Sequence, residues 1–309
     1  MESLGKFGKF GILQTERQAV LLLPRKVGYH KNMNAEKSPL EETQAGRAVA
    51  AENLTRKFGG LAAVDSIALQ IIYGEIFGLL GPNGAGKSTT IKMLTTLLEQ
   101  TSGSAKVAGF DIARESSEVR KQIGYVPQAL SADGGLTARE NMTLSAKLYA
   151  IPARERAPRI ADTLKFIGLT EFADKIVKTF SGGMIRRLEL AMAMLHRPKI
   201  LFLDEPTIGL DPVAKRAVWE KLLDLKKDFG MTILITTHDM DEADLLCDRL
   251  AIMHHGRITA VGSPADLKAS VGNGATLEDV FAQYSKGVAT EGGNYKDVRR
   301  TRRTLNRLG

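Results

Sequence analysis

The segment Gly81-Pro82-Asn83-Gly84-Ala85-Gly86-Lys87-Ser88 constrains this chain more than any other. It fits G-x-x-x-x-G-K-[ST], a loop whose backbone N–H groups converge on phosphate. Its glycines let the backbone approach an anion without a Cβ in the way. The pattern has meaning only between a strand and a helix, and both are legible. Ile76 to Leu80 is a short apolar run suited to a buried strand. Lys87 to Leu98 sets Ile91, Leu94, Leu97 and Leu98 at helical spacing, and the positive end of such a helix points at the same phosphates. Lys87 is expected to reach the β- and γ-phosphates, and the Ser88 hydroxyl to ligate Mg²⁺. A plain Gly-rich turn would need neither flank.

Other polar residues stand where apolar runs end. Ile200 to Leu203 is apolar and closes on Asp204 and Glu205. Asp204 is expected at the Mg²⁺. Alternation along a strand turns Glu205 the other way, where it can take a proton from an attacking water. The competing reading is an acidic pair at the surface. His238 follows the β-branched run Met231 to Thr236, and Gln128 follows Gly124-Tyr125-Val126-Pro127. Taken singly, each would be an ordinary structural or loop residue. Beside a phosphate loop, His238 is expected near the γ-phosphate and Gln128 at Mg²⁺ or the water. Phe180-Ser181-Gly182-Gly183-Met184 opens a helix over Ser181 to Leu195, with Ser181 as N-cap. Two Gly-rich helix starts in one chain point to nucleotide held between two chains. Asp211, before Pro212, reads as the cap of a helix over Val213 to Phe229.

Two short strands are expected at Val49–Leu54 and Val64–Ile72, a mostly helical stretch over 137–178, a strand over Lys199–Leu203 and a short helix at Leu277–Phe281. Strands alternating with helices imply a parallel sheet covered on both faces. At 309 residues the chain has room for one or two domains and a sizeable core. Its net charge of +8 lies entirely in the ends: +3 over residues 1–50 and +5 over 286–309, while 51–285 is neutral. A neutral body argues against a nucleic-acid surface. Basic ends are suited to anionic lipid or to nucleic acid, or are simply solvated. No run of 18 apolar residues exists, so no span of a membrane is expected. Ala19 to Leu23 is too short for a signal-peptide core of about 7–15 residues, and Met33 stays open as an alternative start. The single cysteine, Cys247, fits a reducing compartment and reads as a small apolar group against the sheet.

Together these residues resemble the ATP-binding subunit of an ABC transporter, over roughly residues 49–285, with a closer likeness to daunorubicin-resistance-type exporters. The closer likeness rests on Ile76 to Thr90, on Phe180 to Glu189 and on Ala275 to Phe281. Met184, where many of the wider family carry glutamine, is the one departure, and drug-export members often have it. The resemblance implies an α/β P-loop NTPase fold: a mostly parallel core sheet, an antiparallel β subdomain and a helical signature subdomain at about 129–195. The ATPase domain would run over 47–285, between a poorly ordered extension (1–46) and a basic tail (286–309). The resemblance makes Gly81 to Thr89 the ATP cradle and sets Phe58 against adenine. It places Ser88, Gln128 and Asp204 at Mg²⁺, and makes Glu205 the catalytic base, His238 the switch residue and Gln128 the link to the membrane partner. Ser181, Gly182, Gly183 and Asp211 would complete the site of a second subunit. Implied partners are a separate multi-span permease and a second copy paired head to tail, at the cytoplasmic face of the membrane. The alternatives are a soluble ATPase of this class acting on ribosomes or DNA, and a nucleotide-binding regulator without turnover.

Overall fold

Residues 46–286 are described by a computed structural model. The chain enters through an antiparallel hairpin, β1 (Arg47–Phe58) and β2 (Leu61–Ile72), both longer than the apolar pattern predicts. β3 (Ile76–Leu80) is buried at every position, and α1 (Lys87–Leu94) follows the Gly-rich loop. The helix stops four residues short of Leu98. Thr95 turns its hydroxyl onto the Ile91 carbonyl at 2.8 Å, and Thr96 takes φ +61°. The amide of Leu97 then donates back to the Lys92 carbonyl at 2.8 Å. This left-handed C-terminal turn leaves Leu97 exposed.

β4 (Ser102–Val107) and β5 (Phe110–Asp111) complete an antiparallel sheet in the order β2-β1-β4-β5. Neither strand is expected from sequence, because β4 has only two buried positions in six. A short α2 (Ser116–Gln122) leads to β6 (Ile123–Val126). Next come α3 (Ala138–Leu148), α4 (Ala153–Phe166) and α5 (Gly182–Met194), which gather Met142, Ile160, Leu164, Phe180 and Leu188 into their own apolar cluster. The chain then alternates through β7 (Ile200–Asp204), α6 (Pro212–Phe229), β8 (Thr232–Thr237), α7 (Met240–Leu246) and β9 (Arg249–His254). It closes with β10 (Arg257–Gly262), α8 (Pro264–Val271) and α9 (Leu277–Lys286), the last longer than predicted. The second sheet has the order β10-β9-β3-β8-β7-β6, parallel except for β10.

Alternation along β3 divides the apolar interior. Phe77 and Leu79 face the antiparallel sheet with Leu54, Leu69 and Ile91, while Ile76 and Leu80 face α6 and α7 with Leu222, Leu225 and Leu246. Among the described residues no helix is long and apolar enough to cross a membrane. The expectations for residues 1–45 and 287–309, including their basic charge, fall outside the described residues.

Cys247 packs as predicted. It is buried, and its Sγ lies 2.7 Å from where a Cβ on Gly78 would stand. Burial pushes its thiol well up, with the charges of Glu242 and Asp248 adding. Gly78→Ala should therefore cost about 1–3 kcal/mol by overpacking. Cys247→Ala should return part of that loss, so urea denaturation of the two single variants and the double variant should give non-additive losses. Additive losses would show that the two residues do not meet.

Candidate active site

The Gly-rich loop connects the buried end of β3 to α1, with Pro82, Asn83 and Gly84 exposed and Ala85 and Lys87 buried. Gly86, at the helix N-cap, has φ +104°, and a Cβ there would stand 2.4 Å from the Ala63 carbonyl oxygen. Only glycine satisfies both conditions. The Lys87 ammonium donates to the carbonyls of Gly81 at 2.7 Å and Pro82 at 3.1 Å.

The parallel order of β3, β8 and β7 brings their C-terminal ends to one edge. Ser88, on α1, donates to Asp204 Oδ1 at 2.9 Å. Thr236, on β8, donates to the same oxygen at 2.6 Å, and its own hydroxyl accepts from the Glu205 amide at 3.0 Å. The charge of Asp204 also adds to burial in pushing the Tyr125 phenol up to about 12. Glu205 departs from the expected alternation. β7 ends at Asp204, and Glu205 takes φ +49°, which turns its side chain toward the same site. Its Oε1 lies 3.3 Å from Lys87 Nζ and 3.4 Å from His238 Nδ1, and its Oε2 accepts from Gln128 Nε2 at 3.2 Å. Glu205 and Lys87 are about 95% buried, whereas the His238 side chain is 46% exposed. Six sequence-predicted residues, Lys87, Ser88, Gln128, Asp204, Glu205 and His238, thus meet at one place.

The remaining predicted residues stand elsewhere. Ser181 caps α5, accepting from the Met184 amide at 3.3 Å. Gly183 is buried, and a Cβ on it would stand 2.8 Å from Ala214 Cβ on α6, so it also permits close helix packing. Met184 packs against the apolar cluster of α3 to α5. Asp211 caps α6, accepting from Val213 at 3.0 Å and Ala214 at 2.9 Å. Phe58 is 49% exposed, which rules out its being a core residue, and the Arg56 guanidinium lies 4.6 Å from its ring centre.

Sequence reasoning missed Thr236 and Glu242. Glu242 is buried on α7 and accepts from Thr207 Oγ1 at 2.7 Å and Trp219 Nε1 at 2.9 Å. It joins the chain after Glu205 to the chain after His238. The signal was a carboxylate four residues before the core residue Leu246, on the same helix face. Burial holds the Glu242 carboxyl above its ordinary value of 4.5, despite hydrogen bonds from Thr237, Thr207 and Trp219 that pull it down. Nearby, burial would raise Asp239, but hydrogen bonds from Lys215 and from backbone amides carry it below the usual range. A raised acid contributes stability in full below its unfolded value and loses it as pH rises. The stability of the native chain relative to Glu242→Gln should therefore increase as pH falls from 7 toward 4.5. Urea denaturation at several pH values measures this, and a difference that moves the other way would contradict it.

The family model described as ABC transporter matches residues 64–208. The daunorubicin/doxorubicin resistance ATP-binding protein DrrA of Streptomyces peucetius is 43% identical over 75% of this chain and 70% of its own length. The linearmycin resistance ATP-binding protein LnrL of Bacillus subtilis is 40% identical over 74% of this chain and 73% of its own. A solved dimeric ATP-binding cassette, in a post-hydrolysis state bound to ADP and Pi, superposes with a TM-score of 0.63 at 28% identity. It covers 70% of this chain and 98% of its own.

Proposed function

We propose that this chain, which belongs to the ABC transporter ATP-binding family and is an ATPase, couples ATP hydrolysis to export of a drug-like or lipophilic compound through a separate multi-span permease. The observation that carries the catalytic part is the Glu205 carboxylate, buried and within 3.4 Å of Lys87, Gln128 and His238. Glu205 would accept the proton of the attacking water. Lys87 and the amides of Gly81 to Thr89 would hold the phosphates, and His238 would support the γ-phosphate. Phe58 would stack on the adenine.

Mg²⁺ fits this donor set. Ser88 Oγ and Asp204 Oδ1 are hard oxygens 2.9 Å apart, and the Gln128 side chain can supply a third. Among the described residues there is no group of three or more His, Cys, Asp or Glu able to hold a metal. Asp204 would supply the one carboxylate such an ion takes from a protein, with phosphate and water completing its shell. Bound there, Mg²⁺ would neutralise charge on the β- and γ-phosphates.

Ser181, Gly182, Gly183 and Asp211 would meet the nucleotide of a second copy paired head to tail. The proposed ATPase domain is 47–285, with its helical part at 129–195. The chain would sit at the cytoplasmic face of the membrane, its basic ends against anionic lipid, since the described helices offer no span. The relatives named above serve drug resistance, which supports export as the direction and a drug-like compound as cargo.

Glu205→Gln should bind ATP within about threefold of the native chain yet turn over at least about 100-fold more slowly. Lys87→Ala should weaken ATP binding about 10-fold or more. Normal turnover in the first variant, or native affinity in the second, would remove those residues from their roles. Tagged protein taken from detergent-solubilised membranes should co-purify with a multi-span protein. Ribosomal or DNA-repair partners in its place would favour a soluble ATPase of this class.

A further inference from the structure

The segment that carries Gln128 is held almost entirely by side chains of the helical part. Arg186, on α5, donates to the Pro127 carbonyl at 2.9 Å and to the Gln128 carbonyl. Glu189, one turn further along, pairs with Arg186 at 2.8 Å. Its other oxygen accepts from the Ser131 amide, from Ser131 Oγ at 3.0 Å and from the Ala132 amide at 3.3 Å. Asn141, on α3, accepts from the Asp133 amide at 2.9 Å and donates to the Asp133 carbonyl at 3.0 Å. Arg186 and Glu189 are both at least 95% buried.

A buried ion pair adds little to stability over an apolar pair of similar volume. This one instead turns its other hydrogen bonds onto the strap 127–132: Arg186 to Pro127 and Gln128, and Glu189 to Ser131 and Ala132. The planar guanidinium spans two successive carbonyls, which a lysine ammonium cannot do with a fixed fork. Of the strap, the Gln128 side chain reaches outward, to Glu205. Ser181 caps the start of the same helix α5.

We propose that Arg186 and Glu189 are positioning residues that lock the Gln128 strap to α5, so that a shift at the Ser181 end of that helix moves Gln128 relative to Glu205. The inference rests on the ATPase reading above. It supplies a route by which occupancy at the Ser181 end would reach the hydrolytic carboxylate.

The test uses the full chain and the variant Arg186→Met/Glu189→Leu, which removes both charges together. Amide exchange at Ser131 and Ala132 should rise about tenfold or more in the ligand-free variant, while Asp133, held by Asn141, keeps its native rate and reports that the fold is intact. ATP affinity should be unchanged and kcat should fall about tenfold, through misplacement of Gln128. Adding Gln128→Ala to the variant should cause no further loss beyond Gln128→Ala alone. If the paired variant does not fold, Glu189→Gln gives the same comparison with a smaller change in exchange. Unchanged exchange at Ser131 and Ala132, or losses in kcat that multiply, would overturn the lock. If ATP gives no protection at Gly81 to Ser88 of the native chain, the nucleotide reading fails instead, and the ligand-free exchange still decides whether the strap is clamped.

Discussion

The structure depends on three chain ends meeting around one carboxylate. Asp204 Oδ1 accepts one hydrogen bond from the Ser88 hydroxyl at the start of α1 and another from the Thr236 hydroxyl near the end of β8. Asp204 is 2% exposed, so its charge is tolerable only with these donors in place. Their arrival together follows from the parallel pairing of β3, β8 and β7, which lines up the C-terminal ends of the strands. An apolar sheet covered on both faces thereby presents its polar groups at one edge, where a ligand of an open α/β sheet binds.

Glu205 shows how the backbone decides the chemistry. On an extended strand it would point away from Asp204, but a left-handed φ turns it to the same side, where Lys87, Gln128 and His238 converge. A non-glycine residue in that region is uncommon and costs about 1–3 kcal/mol. Two hydrogen bonds from the Glu205 amide to Thr236 hold it there. The outcome is a buried carboxylate beside a buried ammonium, a pair that adds little to stability over apolar residues of similar volume.

Much of the site could be read in the sequence because its residues stand at the ends of regular elements. Lys87 opens α1 after the Gly-rich loop, and Asp204 and His238 stand where apolar runs stop. β4 could not be read, because Ser102, Gly103 and Ser104 are exposed and the strand is held by backbone pairing to β1. α1 ends before its spacing predicts, because Leu97 and Leu98 keep the helical spacing while Thr96 breaks the backbone. Glu205 turns against the predicted direction because alternation holds only within a strand. Glu242, Arg186 and Glu189 are ordinary charged helix residues in sequence, and only tertiary packing reveals the loops they hold.

Within one chain, the Lys87–Glu205 group and the Ser181 helix start are each well formed, and Ser181 makes its hydrogen bond within its own helix turn. On the proposed reading, these would be two halves of a site that closes when copies pair head to tail. Sedimentation of the Glu205→Gln chain, with and without Mg²⁺ and ATP, tests this most directly. A monomer that becomes a dimer only with both ligands present, and that reverts to a monomer when Ser181→Arg is added, is the predicted result. A chain that binds ATP and stays monomeric at all concentrations would contradict it.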